Sequence, residues 1–403
     1  MRRLSISRVE GVLAPYASGF RLWLTERGYR PPTVEDQVWL MAHLSRWLDE
    51  QGIEPGAFTD EAAERLQRAR RERYSHLTGS RALRPLLGYL RGLGLVPEPL
   101  ASESPAEAVI TAYREYLLCE RGLVEGSVVL RARVARLFLG ELGDPIDAAL
   151  AQLGPGDVTR FVVAQCGDGR RGTAWASTLV SGLRSLLVFL HITGRVPVPL
   201  AAAVPSVASW RLSSLPRGLD RDHVERILAS CDRATAVGRR DYAIVMLLSR
   251  LGLRACEVAA LTLDDIDWRA GELTIHGKGA QIDRHPLPRE VGQALVACLR
   301  DPRRDGDCRA VFVRTFAPDG ALSVKAIGSV LRDACDRAGV PRVGTHRLRH
   351  TVATELLAAG APLTEIAPVL RHTNLSSTAI YAKVDRTALR ALARPWPLAG
   401  AGT

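Results

Sequence analysis

Six side chains in this sequence have types that could act together on a phosphodiester: Arg254, Lys278, His346, Arg349, His372 and Tyr381. A guanidinium donates two parallel hydrogen bonds to non-bridging phosphate oxygens and stays charged when water is excluded. Two of them, Arg254 and Arg349, suit the extra negative charge of a pentavalent phosphorus transition state. His346 precedes Arg349 by three positions, so a helix puts both on one face, and an imidazole there can donate to a phosphate oxygen. Lys278 stands between Gly277 and Gly279. An ammonium on such a flexible tip can reach a leaving oxygen and protonate it. Tyr381 lies nine residues after His372. A phenol becomes a nucleophile once its proton is taken up and the phosphate is electrostatically activated.

Taken singly, these residues read as a surface helix arginine, an exposed turn lysine, a helix-start histidine and a half-buried core tyrosine. Their order is harder to explain that way. Gly-Leu-Arg-x-x-Glu-Val (252–258), Gly-Lys-Gly (277–279), His-x-Leu-Arg-His (346–350), Leu-x-His (370–372) and Tyr381 follow one another, with Glu257 three residues after Arg254 and so placed to orient it. The succession resembles the tyrosine recombinase/integrase family, the relatives of phage integrases and Xer recombinases. The likeness covers about residues 219–390 and extends more weakly to the helical block before them.

The resemblance implies that Arg254 and Arg349 clamp the scissile phosphate. It implies that His346 and His372 complete the oxygen-binding ring, that Lys278 is the general acid for the 5′-hydroxyl, and that Tyr381 forms a 3′-phosphotyrosine. It further implies double-stranded DNA as partner, a homotetramer on synapsed DNA, possible accessory recombination proteins, and no ATP, metal or other cofactor. The sequence also departs from the family pattern. Gln281 and Asp283 stand where basic residues are usual after the hairpin tip, and Arg284-His285-Pro286-Leu287 follows. Arg371 replaces the glycine most often found before His372. Residues 1–100 are a copy beyond the usual single core-binding domain.

Composition agrees with a polyanionic partner: 54 Lys and Arg against 43 Asp and Glu give a net charge of +11. A GC-rich genome that favours Arg over Lys is the bland alternative. Aromatics are only 5%, so cores of Leu, Val and Ala in helices are expected. The seven cysteines are scattered without a Cys-x-x-Cys, which disfavours disulfides and zinc and suits a reducing cytoplasm. No Walker loop, His-Glu-x-x-His or two-metal carboxylate cluster is present, so nucleotide hydrolysis and metal hydrolysis are not indicated. No apolar run reads as membrane-spanning, and the first residues lead into no signal-peptide core.

The elements that must position these groups read as mainly helical. A length of 403 residues predicts several domains. Residues 1–103 form a helical block, a probable duplicate serving as arm or clamp, and 104–203 a second, SAM-like core-binding block. Residues 204–218 are a Ser/Pro-rich linker, 219–394 the catalytic domain and 395–403 a tail. The repeat shows in Gly94 and Gly194, each ending a helical run and each followed shortly by Val-Pro-x-Pro-Leu.

Helices are predicted over 38–48, 80–93, 128–139, 176–192, 222–231, 240–251, 255–261, 289–300, 324–338, 346–359, 363–370 and 375–384. Strands 272–276 and 282–287 form a β-hairpin whose tip carries Lys278. Basic clusters at Arg65, Arg68, Arg70, Arg71 and Arg73, and at Arg170 and Arg171, are candidate DNA contacts or solvated helix faces. Two other functions fit less well: a non-catalytic DNA-binding architectural protein descended from a recombinase, and a type IB topoisomerase.

Overall fold

Apolar residues at helical spacing, punctuated by Gly and Pro, produce a mainly α chain. The computed structural model describes residues 8–74, 77, 80–98, 104–167, 172–207, 218–277, 281–301 and 307–371. The chain separates into two units, Pro99–Arg211 and a second that joins Met1–Glu98 to Leu212–Thr403.

In the second unit the N-terminal helices are α1 (Ala17–Glu26), α2 (Pro31–Gln51), α3 (Asp60–Arg73) and α4 (Ser80–Gly92). Phe20, Leu24, Leu40, Met41, Leu44, Leu86 and Leu90 fill their core. Two prolines open α2, where a missing N–H costs no hydrogen bond. Thr59 caps α3 by accepting from the Ala62 N–H. Arg70 departs from the basic-cluster reading: it is only 4% exposed, with its guanidinium over the rings of Trp39 and Tyr74. Arg65, Arg68, Arg71 and Arg73 remain at the surface.

The unit Pro99–Arg211 contains α5 (Pro105–Glu115), α6 (Glu125–Leu139), α7 (Ile146–Ala151), α8 (Pro155–Cys166) and α9 (Thr173–Ile192). α9 is long and apolar enough to cross a membrane, contrary to the expectation from sequence. Its Leu179, Leu183, Leu186 and Leu190 are fully buried in the core of this unit, as befits a central helix. α4 and α9 end alike. Leu95 N–H donates to Leu90 O and Arg195 N–H to Leu190 O, across Gly94 (φ +70°) and Gly194 (φ +72°). That turn needs the left-handed conformation at the glycine, and it delivers Val96 and Val196 into their cores.

The C-terminal part of the second unit holds α10 (Arg221–Ala229), α11 (Ala236–Arg250) and α12 (Ala255–Ala260). A sheet of β1 (Ile266–Asp267), β2 (Glu272–His276) and β3 (Ile282–Pro286) follows. The helices α13 (Arg289–Leu299), α14 (Val324–Ala338), α15 (Thr345–Ala358) and α16 (Leu363–Val369) complete the described part. The strands are antiparallel in the order β1-β2-β3, with Leu273 opposite His285 and Ile275 opposite Asp283. Leu273 and Ile275 turn inward onto the α11 core, as alternation predicts. The two-residue β1 was not foreseen, and the helix expected over 375–384 lies outside the described residues. The mainly α fold with one small sheet is the architecture expected.

Candidate active site

Arg254 is set by the turn between α11 and α12. Gly252 adopts φ +58°, Leu253 is fully buried, and Arg254 emerges at the start of α12. Glu257, one turn in, accepts the Arg254 backbone N–H at 2.8 Å with Oε2 and the Arg254 Nη1 at 2.6 Å with Oε1. The side chain is thereby held from two directions while a quarter of it, 26%, stays exposed to meet a ligand. Its Nη2 donates to the carbonyl of Arg371 at 2.9 Å.

Arg349 comes from α15 and is buried at 4% exposure. Its Nη1 donates to Gly252 O at 2.7 Å, joining α15 to the backbone two residues before Arg254. A Cβ on Gly252 would stand 3.1 Å from Leu370 and 3.5 Å from Val352, so α15 and the end of α16 close on this turn because it carries no side chain. His346 lies one turn before Arg349, on the exposed start of α15. Desolvation lowers its pKa, and the Arg349 and Arg254 guanidiniums lower it further, which keeps the ring neutral near pH 7. His350 is lowered by desolvation, His346 and Arg349.

Three of the six expected residues, Arg254, His346 and Arg349, therefore meet at one place. Lys278, His372 and Tyr381 lie outside the described residues. The strand that leads to Lys278 is anchored at its end, where His276 Nε2 lies 2.8 Å from Asp265 Oδ1. Asp265 is buried, which opposes its ionisation, but bonds from Thr262 and His276 hold it below the usual carboxylate range.

The sequence reading did not foresee a role for His285 or for Arg371, the residue that departs from the family's glycine. Arg371 is 6% exposed and has φ +52°. Its Nη2 donates to Glu257 Oε2 at 2.8 Å, and its Nη1 donates to His285 Nε2 at 2.7 Å. Burial opposes the ionisation of Glu257, yet the Arg254 and Arg371 contacts hold its pKa below normal. Desolvation, and then Arg371, push His285 down, so its ring is neutral and able to accept. The signal available in sequence was that Arg371 falls beside a motif position.

The arrangement is a cationic patch with a neutral imidazole at its rim, suited to an anion with several oxygens. Residues 217–387 match the phage integrase family. The chain is 41% identical to the Sinorhizobium fredii protein y4rA, named an integrase/recombinase, over 96% of this chain and 95% of that one. It is 34% identical to the tyrosine recombinase XerD of Mycobacterium tuberculosis, over 70% of this chain and 94% of the relative. Among solved structures, XerH recombinase bound to a palindromic difH substrate aligns with a TM-score of 0.51 at 17% identity, covering 73% of this chain and 97% of that one. A lambda integrase dimer bound to a core site gives 0.50 at 16%, covering 67% and 96%.

Proposed function

The chain belongs to the phage integrase family and is a site-specific tyrosine recombinase, and from that premise we propose that Arg254, Lys278, His346, Arg349 and His372 hold one DNA phosphate for attack by Tyr381. The observation that carries this assignment is the Arg349–Gly252 bond, which seats both arginines and His346 around one patch. The two guanidiniums take the non-bridging oxygens and stabilise the charge gained as the phosphorus becomes five-coordinate. The Tyr381 oxygen forms a bond to phosphorus, and the bond to the 5′-oxygen breaks. Lys278 supplies the proton that the leaving 5′-hydroxyl needs, while a neutral imidazole takes the phenolic proton. The product is a 3′-phosphotyrosyl ester. Its bond energy is retained, so a 5′-hydroxyl from another strand reverses the step and joins the new partner. Four protomers would act in pairs through a Holliday junction.

The partner is double-stranded DNA. The blocks 1–103 and 104–203 would clamp the duplex, with 219–394 as the catalytic domain, in the service of a mobile element in the cytoplasm. The architectural-protein and topoisomerase readings are not favoured.

The test is to lyse cells expressing the protein in detergent, recover DNA that remains covalently attached, and sequence its ends. The expected result is attachment at a small set of recurrent sites, formed equally with and without a chelator. Attachment spread over arbitrary sequence would instead favour the topoisomerase reading, and no attachment the architectural one.

A further inference from the structure

Arg371 sits where a side chain is expensive. A φ of +52° lies in the left-handed region, which glycine adopts freely and other residues only at a cost of about 1–2 kcal/mol. The guanidinium is also buried, at 6% exposure, where an unpaired charge would be heavily penalised. What offsets both is the set of partners. The fork reaches Glu257 with one nitrogen and His285 with another, and the carbonyl of the same residue receives Arg254 Nη2. The clasp joins three separate stretches of chain. Glu257 and Arg254 begin α12. His285 lies on β3, the strand paired with β2. Arg371 itself directly precedes His372.

We infer that Arg371 is a positioning residue for strand cleavage: it clasps the Arg254–Glu257 turn to β3 and so fixes Arg254, β3 and the residue that follows α16 relative to one another. The inference rests on the reading of the site given above. The Arg371 side chain is buried. Its effect passes through Glu257, whose Oε2 it shares with the Arg254 N–H and whose other oxygen holds the Arg254 side chain. A glycine at this position would relax the backbone but leave Glu257 and His285 short of a donor. The guanidinium fork is what allows one side chain to serve both. A lysine ammonium is a point charge and can satisfy Glu257 without reproducing the second bond.

The experiment uses the full-length protein and a nicked duplex carrying a site recovered by adduct sequencing. Three quantities are read: the single-turnover rate of covalent adduct formation at saturating DNA, the Kd for the duplex, and the melting temperature. Arg371→Ala should lower the rate by about a hundredfold, as misplacement of a catalytic group by roughly an ångström does, with Kd within threefold of wild type. Arg371→Lys should recover about tenfold of that loss. His285→Ala should cost about tenfold, and the double variant with Arg371→Ala should be no slower than Arg371→Ala alone, because both act through one clasp. Should Arg371→Ala fail to fold, Arg371→Lys and His285→Ala decide. A folded Arg371→Ala or His285→Ala protein that cleaves at the wild-type rate overturns the inference, as does a rate loss that merely tracks a lost affinity. Tyr381→Phe run alongside separates the two levels: adducts formed by that variant would overturn the reading of the site itself.

Discussion

At the scale of single residues, the guanidiniums set the charge of the imidazoles beside them in the free protein. His346 is the clearest case, since desolvation and its two arginine neighbours lower its pKa in the free protein. A bound phosphate reverses the local field and raises that pKa, so binding takes up a proton. The sign follows: affinity for duplex DNA should rise as pH falls below neutrality, by up to about tenfold per unit, and level off below the free-protein pKa. Anisotropy titrations at constant ionic strength check this, and His346→Ala should flatten the slope. An unaltered slope in that variant would remove His346 from the phosphate. Arg254, His346 and Arg349, which the fold brings together, were legible in sequence because each falls within a short motif. Arg371 was visible only as a departure from the family pattern and His285 carried no signal, because their bond links positions 86 residues apart that only the fold brings together.

Among the elements, the α11–α12 turn does the most to assemble the site. Gly252 combines a left-handed φ of +58°, close packing from Leu370 and Val352, and the carbonyl that receives Arg349. Gly252→Ala should cost about 1–2 kcal/mol from the backbone alone, and more as the Leu370 contact at 3.1 Å is forced apart. Arg349 would move with its acceptor, so adduct formation should fall by at least about tenfold, beyond what lost stability explains. Urea unfolding and single-turnover cleavage measured together check it, and a variant equal to wild type in both would contradict the account. Gly252 could be read from sequence because helix ends favour glycine, and the hairpin because alternation marks its strands. The two-residue β1 is too short to carry a period. Arg70 shows the limit of reading charge alone: it lies four residues after Leu66 and eight after Ala62, on the apolar face of α3, and it is buried there.

For the whole molecule, a net charge of +11 and a mainly helical fold suit a protein that grips the DNA backbone and delivers one phosphate to one patch. The common ending of α4 and α9 was legible because the same glycine turn leaves a mark in sequence as well as in hydrogen bonds. How the blocks cooperate on a duplex is a matter of long-range assembly, which local pattern does not encode. The central claim is that this patch serves a covalent step carried out by one phenol. The direct measurement is adduct formation on a nicked suicide substrate by wild type and Tyr381→Phe, with peptide mass mapping of the linkage. The account predicts that wild type accumulates a 3′-phosphotyrosyl adduct at Tyr381, while Tyr381→Phe binds the same duplex with unchanged affinity and forms none. An adduct formed by Tyr381→Phe, or mapped to another residue of the wild-type protein, would contradict it.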